Sequence, residues 1–128
     1  MSGIGVVVAL PHEIPTGFVR FGTRQRMDTH PFTIYCSAAA QHVVVQAGVG
    51  RTRAAAGARL LVRRFSPQGL VSFGFAGGLV PELTRGTLII GTEVVCEDGS
   101  GKWPMASRDL VEQFSAAADA EGLAMQQG

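Results

Sequence analysis

Three short segments of this chain combine residues that can do chemistry with glycines that let a backbone come close to a ligand. The first is Ala9-Leu10-Pro11-His12-Glu13, where a carboxylate stands just past an apolar run. In open α/β sheets ligands bind at the carboxyl ends of the strands, so a carboxylate there can act as a general base toward water or hold a sugar hydroxyl. The plainer explanation is that Glu13 complements the amino end of a following turn, and position alone does not separate the two.

The second segment, Gln46-Ala47-Gly48-Val49-Gly50, runs into Arg51 and Arg53. Free N–H groups at a helix start can receive an anion or a sugar hydroxyl, and arginine forks match phosphate oxygens. A strand-to-helix connection needing positive φ, with the arginines on a solvated face, accounts for the same residues. A dinucleotide fingerprint fits poorly, because the third small residue of G-x-G-x-x-G would fall on Arg53, and the P-loop pattern is absent. The third segment is Ser72-Phe73-Gly74-Phe75-Ala76-Gly77-Gly78. So many small residues are costly in chain entropy for a plain strand, so either something approaches that backbone or the turn is tightly packed.

Other reactive residue types form no constellation. His12, His30 and His42 lack metal-ligand spacing, and Cys36 and Cys96 lack a CxxC or Cys/His cluster. They are read as ordinary histidines and reduced cytosolic thiols, with no metal or cofactor expected. Trp103, in Gly-Lys-Trp-Pro, is read as a packing anchor.

The elements that must position these segments alternate strand and helix. Residues 4–10 are β-branched and apolar on both parities, the pattern of a strand covered on both faces. Residues 12–31 show no sustained period and read as loop with one short helical turn. Residues 32–37 and 42–46 read as an antiparallel hairpin joined around Ala39 and Ala40. Ala54, Ala58, Leu61 and Phe65 repeat at helical spacing across 52–65, closed by Pro67 and Gly69. Strands are expected at 69–76 and 87–95. Ser107 then offers the N-cap of a helix ending at Gly122, and 123–128 reads as a strand without a visible partner.

Size and charge bound the partners. A chain of 128 residues with 46% hydrophobic content suits one compact domain, 1–128. The net charge of +1 gives no reason to expect nucleic acid. Ten of the eleven basic residues are arginine, Lys102 being the exception, which genome composition explains as well as anion binding does. The apolar run 4–10 is too short to span a bilayer.

Taken in order, Ile4-Gly5-Val6-Val7-Val8-Ala9-Leu10-Pro11-His12-Glu13, the hairpin, Ala47-Gly48-Val49-Gly50 and Gly74-Phe75-Ala76-Gly77-Gly78-Leu79 resemble the nucleoside phosphorylase/nucleosidase superfamily. The nearest pattern is that of the methylthioadenosine/S-adenosylhomocysteine nucleosidases. The resemblance implies a phosphorylase/hydrolase-like α/β fold, a twisted mixed β-sheet flanked by helices, and cleavage of a nucleoside N-glycosidic bond by water or phosphate. By the same resemblance Glu13 orients the attacking water. Ala9 and Leu10 are substrate-binding positions, Leu10 standing where a methionine usually lines the ribose. Val49 meets the group on the ribose 5′ carbon, and Gly48, Phe75, Ala76 and Gly77 approach the sugar and base. Arg51 and Arg53 are the candidates for phosphate. The implied partners are a small-molecule nucleoside, phosphate and further copies of the chain, in the cytoplasm.

Departures from that pattern carry their own expectations. Phe75 replaces a serine common in the methylthioadenosine enzymes, which makes the site more apolar. Ser-Phe-Gly-Phe-Ala-Gly-Gly-Leu and Gly-Lys-Trp-Pro are more similar to hopanoid-associated members, implicated in releasing adenine from an adenosyl-hopane. The family's base-stacking aromatic, its Met-Glu pair on the ribose hydroxyls and its proton-donating aspartate belong to a later half that does not follow Gly128. The chain is therefore read as the truncated amino-terminal part of such a domain, inactive or nearly so alone. Non-catalytic nucleoside binding is the alternative.

Overall fold

The computed structural model describes residues 3–21, 23–26, 32–37, 41–101, 103 and 105–128. His30, the connection at Ala39 and Ala40, and Lys102 and Pro104 of the Gly-Lys-Trp-Pro segment lie outside them. The chain forms two compact units, Met1–Ala76 and Gly77–Gly128.

In the first unit the strands are β1 (Ile4–Val8), β2 (Thr23–Arg26), β3 (Thr33–Cys36), β4 (Val43–Gln46) and β5 (Gly69–Ser72), and the helices are α1 (Thr16–Phe21) and α2 (Arg51–Phe65). A 3-10 turn occupies Pro11–Glu13. The sheet order is β2-β3-β4-β1-β5. β1 runs parallel to both β4 and β5, whereas β3 is antiparallel to β4 and to β2. The expected α/β fold with a mixed sheet is present, and so is the hairpin, as β3 and β4. The 12–31 stretch, read as loop with one short helical turn, holds the short helix α1 and, beyond that reading, β2, paired to β3 from Thr23 opposite Cys36 to Arg26 opposite Thr33.

Apolar residues on both parities do find cover on both faces. Val7, Ile34, Val43 and Val45 pack with Leu61 of α2, against Ala54, Ala58 and Phe65. Val8, Tyr35 and Val44 face the other way and pack with Ile14 and Phe18, just after the 3-10 turn. Burial of each such aliphatic side chain contributes about 1.5–3 kcal/mol, so the sheet centre is the rigid platform. Cys36 is a free thiol on β3, and burial pushes its ionisation upward despite the opposing Arg64 charge.

The topology has one consequence for chemistry. Three parallel strands end at the same edge, in the order β4, β1, β5. Their pairing continues a little beyond the strands, with N–H groups of Ala47, Gly48 and Phe73 donating to the carbonyls of Val8, Ala9 and Val7. The expected strand 69–76 stops at Ser72 as regular structure, because the chain then leaves the ladder.

The second unit is a strand-helix-strand: β6 (Leu88–Ile90), α3 (Arg108–Ala120) and β7 (Met125–Gln127). β6 and β7 pair in parallel, Leu88 opposite Met125 through Ile90 opposite Gln127. The terminal strand that lacked a visible partner therefore has one, and β6 is shorter than the expected 87–95. Ser107 caps α3 by accepting from the Leu110 N–H at 3.5 Å. Trp103 is not the buried anchor expected of it: it is 54% exposed, and its indole N–H donates to Cys96 Sγ at 2.6 Å. Among the described residues no helix is long and apolar enough to cross a membrane.

Candidate functional site

Glu13 ends the 3-10 turn that follows β1, and only 9% of it is exposed. Its carboxylate is held by backbone donors. Oε2 accepts from the N–H groups of Ala9 at 3.0 Å and Leu10 at 2.9 Å. Oε1 accepts from the N–H of Phe75 at 3.3 Å, across from the loop that follows β5. The Leu10 donor does most to hold the carboxyl below its ordinary value; burial opposes this, and the Phe75 and Ala9 donors and the nearby His12 add to the lowering. Glu13 is thus an anion at neutral pH.

An ionised carboxylate has about four acceptor directions. Among the described residues Oε2 accepts from two N–H groups and Oε1 from one, so Oε1 carries fewer donors than its partner oxygen. A carboxylate held this low is a weak base toward neutral water. It is suited to orient a water and to take its proton only once that water bonds to an electron-poor atom.

The same contact explains the small-residue run after β5. A Cβ on Gly74 would stand 2.8 Å from Glu13 Oε1, closer than real Cβ atoms come to a neighbour. What approaches that backbone is the chain's own carboxylate, pinned by other donors and unable to yield freely. Gly74 stood in the segment singled out from sequence but was given no role of its own; the signal was the glycine itself, and the carboxylate that it admits belongs to a turn far earlier in the chain.

Gly48 follows β4 with φ of +86°, a left-handed conformation, and its N–H donates to the Ala9 carbonyl at 3.1 Å. It also lies under a side chain: a Cβ there would meet the Arg53 guanidinium at 2.8 Å. These loops border a cleft of about 230 Å³ lined by Ala9, Glu13, Gly48, Arg51, Ser72 and Phe73, among others.

Of the residues expected from sequence, Ala9, Glu13, Gly48 and Arg51 line this cleft. Leu10 and Phe75 bind Glu13 through their N–H groups, and their side chains are 37% and 70% exposed. Val49 is 70% exposed, outside the cleft lining, and Arg53 lies over Gly48 instead of in the cleft. Ala76 is exposed at the end of the first unit, and Gly77 begins the second. Ser72 and Phe73 are cleft residues missed beforehand; they belong to the segment that was singled out, two positions earlier in it. Among the described residues no group of three or more His, Cys, Asp and Glu is placed to hold a metal ion.

The chain is similar in sequence and fold to known proteins. The model of the family described as the phosphorylase superfamily matches residues 3–128. The 5′-methylthioadenosine/S-adenosylhomocysteine nucleosidase of Geobacillus thermodenitrificans is 43% identical over 56 residues, 44% of this chain and 24% of that protein. That of Actinobacillus succinogenes is 30% identical over 94 residues, 67% of this chain and 41% of its own length. Among solved structures, the nucleosidase of the same name from Neisseria meningitidis, in complex with methylthio-immucillin-A, has a TM-score of 0.75 at 25% identity, over 100% of this chain and 63% of that one. A futalosine hydrolase of Helicobacter pylori has a TM-score of 0.80 at 17% identity, a likeness of fold, over 99% of this chain and 62% of the other. The chain thus spans less than two thirds of the length of these relatives.

Proposed function

The chain belongs to the phosphorylase superfamily, and on that premise we propose that it carries the water-orienting arm of a site that cleaves the N-glycosidic bond of a purine nucleoside. The observation that supports this best is the Glu13 carboxylate in the cleft lining, with two backbone donors on Oε2 and, among the described residues, one on Oε1, at the edge where three parallel strands end. In the reaction the bond between the sugar C1′ and the purine nitrogen breaks, its electron pair leaving with the base. Positive charge develops on the ribosyl carbon, the water on Oε1 bonds to C1′, and its proton passes to Glu13. The base takes up a proton from a donor that the family resemblance assigns to a later segment. Gly48 lets the backbone approach the sugar, and Ala9 lines it.

The cleft volume of about 230 Å³ is below the roughly 300–1,000 Å³ typical of small-molecule pockets. It suits the sugar portion of a nucleoside. Leu10, Val49 and Phe75 leave apolar surface exposed beside the residues that line the cleft or hold Glu13. That surface favours a substrate with a hydrocarbon group on the 5′ carbon, as in an adenosyl-hopane. Arg51 in the lining is the group through which phosphate would replace water as acceptor. The place of β5 at the end of its sheet and the apolar surface of the second unit favour assembly with further copies of the chain.

The test is adenine release from adenine nucleosides by the natural gene product, with and without phosphate. Release without phosphate is expected, and release that requires phosphate would replace hydrolysis by phosphorolysis. Glu13→Gln should lower the rate by about 10²–10⁴-fold with nucleoside binding retained. The 128 residues alone are expected to fall far short of that rate. A second reading, a nucleoside-binding module without turnover, draws on the three backbone donors that make Glu13 a tie between loops. It predicts binding without release, unaltered by Glu13→Gln.

A further inference from the structure

The two oxygens of Glu13 are held in different ways. Both donors to Oε2 come from residues three and four positions before Glu13, so the turn after β1 supplies them by itself. The donor to Oε1 comes from Phe75 and depends on where the loop after β5 lies. The last ladder bond of that strand is from the Phe73 N–H to the Val7 carbonyl. Beyond it the loop continues through Gly74, which adds no side chain to hold it. Phe75 is 70% exposed, yet its ring stacks on that of His12, with centroids 5.8 Å apart and planes inclined by 13°. Aromatic pairs at such separations attract one another beyond their buried area. His12 stands in the same 3-10 turn as Glu13, so the stack joins the two loops that Glu13 also joins.

We propose that His12 is a positioning residue: its ring, stacked on Phe75, clasps the loop after β5 to the turn after β1 and so keeps the Phe75 N–H on Oε1 of Glu13. The clasp fixes which acceptor direction of Oε1 that N–H takes. Its bearing on catalysis rests on the reading of Glu13 as the water-orienting group; the clasp itself does not. Among the described residues the titratable His12, on the turn, and the cationic Arg51, in the cleft lining, share this neighbourhood with Glu13. The imidazole charge also favours ionised Glu13, so a test must separate ring from charge.

Carboxyl-carbon NMR titration of Glu13 and amide exchange at Phe75, both on the 128-residue chain without substrate, make that separation. His12→Ala removes ring and charge, and His12→Phe keeps a stacking ring without charge. Loss of one backbone hydrogen bond should lower the Glu13 acid dissociation constant by about three- to tenfold in His12→Ala. Phe75 amide exchange should quicken by a similar factor while the Ala9 and Leu10 amides keep theirs. Phe75→Ala, which retains the N–H but not the ring, should quicken that exchange as His12→Ala does, and His12→Phe should keep the parent's Phe75 exchange and shift the dissociation constant by less than His12→Ala does. Equal shifts in His12→Ala and His12→Phe would assign the effect to charge and overturn the clasp. An unchanged Phe75 amide in His12→Ala would overturn it as well. Because no nucleoside is present, an inactive gene product would defeat the proposed function and leave this result standing.

Discussion

The two units use apolar residues in opposite ways. In Met1–Ala76, Val8, Ile34, Val43, Val44, Val45 and Leu61 are all but inaccessible, packed on both faces of one sheet. In Gly77–Gly128 Ala118 is the buried apolar residue, whereas Leu79 is 95% exposed and Val95 and Met105 about three quarters. The first unit closes a core with its own elements, and the groups that hold Glu13 are among them. Among its described residues the second has a two-stranded ladder and one helix, too few layers to cover its own apolar surface. A strand edge built on a closed core can thus be rigid in a chain whose other part leaves apolar surface exposed.

The largest effect that could break this contrast is in the cores. Leu61→Ala removes a side chain with no exposure and should cost about 2–5 kcal/mol in urea unfolding. Leu79→Ala removes one that is 95% exposed and should stay within about 0.5 kcal/mol. A comparable loss from Leu79→Ala would mean that the second unit's apolar surface is covered in solution.

A smaller effect separates the site from the core beneath it. Because the folded-state ionisation of Glu13 lies below its ordinary value of 4.5, its contribution to stability is complete above that value. It is lost as the pH falls from there through the lowered folded value. Gly74→Ala sets a methyl group against Oε1 and should cost about 1–3 kcal/mol at neutral pH. It should also lose less on acidification than the parent does. Unfolding curves at neutral pH and at stepped acidic values measure both, and an unchanged acid dependence would show that the methyl group had been accommodated without disturbing Glu13.

The same contrast governs what could be read from sequence. Elements that bury a face are marked by periodicity, and so β1, the β3–β4 hairpin and α2 were legible, as was α3 from its cap. β2, Thr-Arg-Gln-Arg, carries no apolar pattern, and its place as an edge strand follows from backbone pairing with β3. The partnership of β6 with β7 spans 37 positions and a helix, and a parallel ladder has no local signature comparable to a hairpin turn. Within the site, the carboxylate and the glycine segments were visible because their residue types are unusual at strand ends. That Gly74 exists to admit Glu13, and that His12 stacks on Phe75, required knowing that the loops after β1 and β5 meet.

The smallest effect sharpens the contrast from the other side. Ser107 caps α3 through a long hydrogen bond to the Leu110 N–H, 3.5 Å, so Ser107→Ala should cost the helix toward the lower end of the usual capping range, about 0.5–1 kcal/mol. Where this cost appears depends on how the units unfold. α3 has Ala118 as its buried residue, so little burial holds the helix and it can open on its own. Amide exchange in Arg108–Ala120 should then quicken about two- to fivefold, while exchange in β1 and β4 and the urea midpoint of the first unit remain those of the parent. If the β1 and β4 amides instead quicken by the same factor, the two units open as one, and the apolar surface of the second is part of a common core.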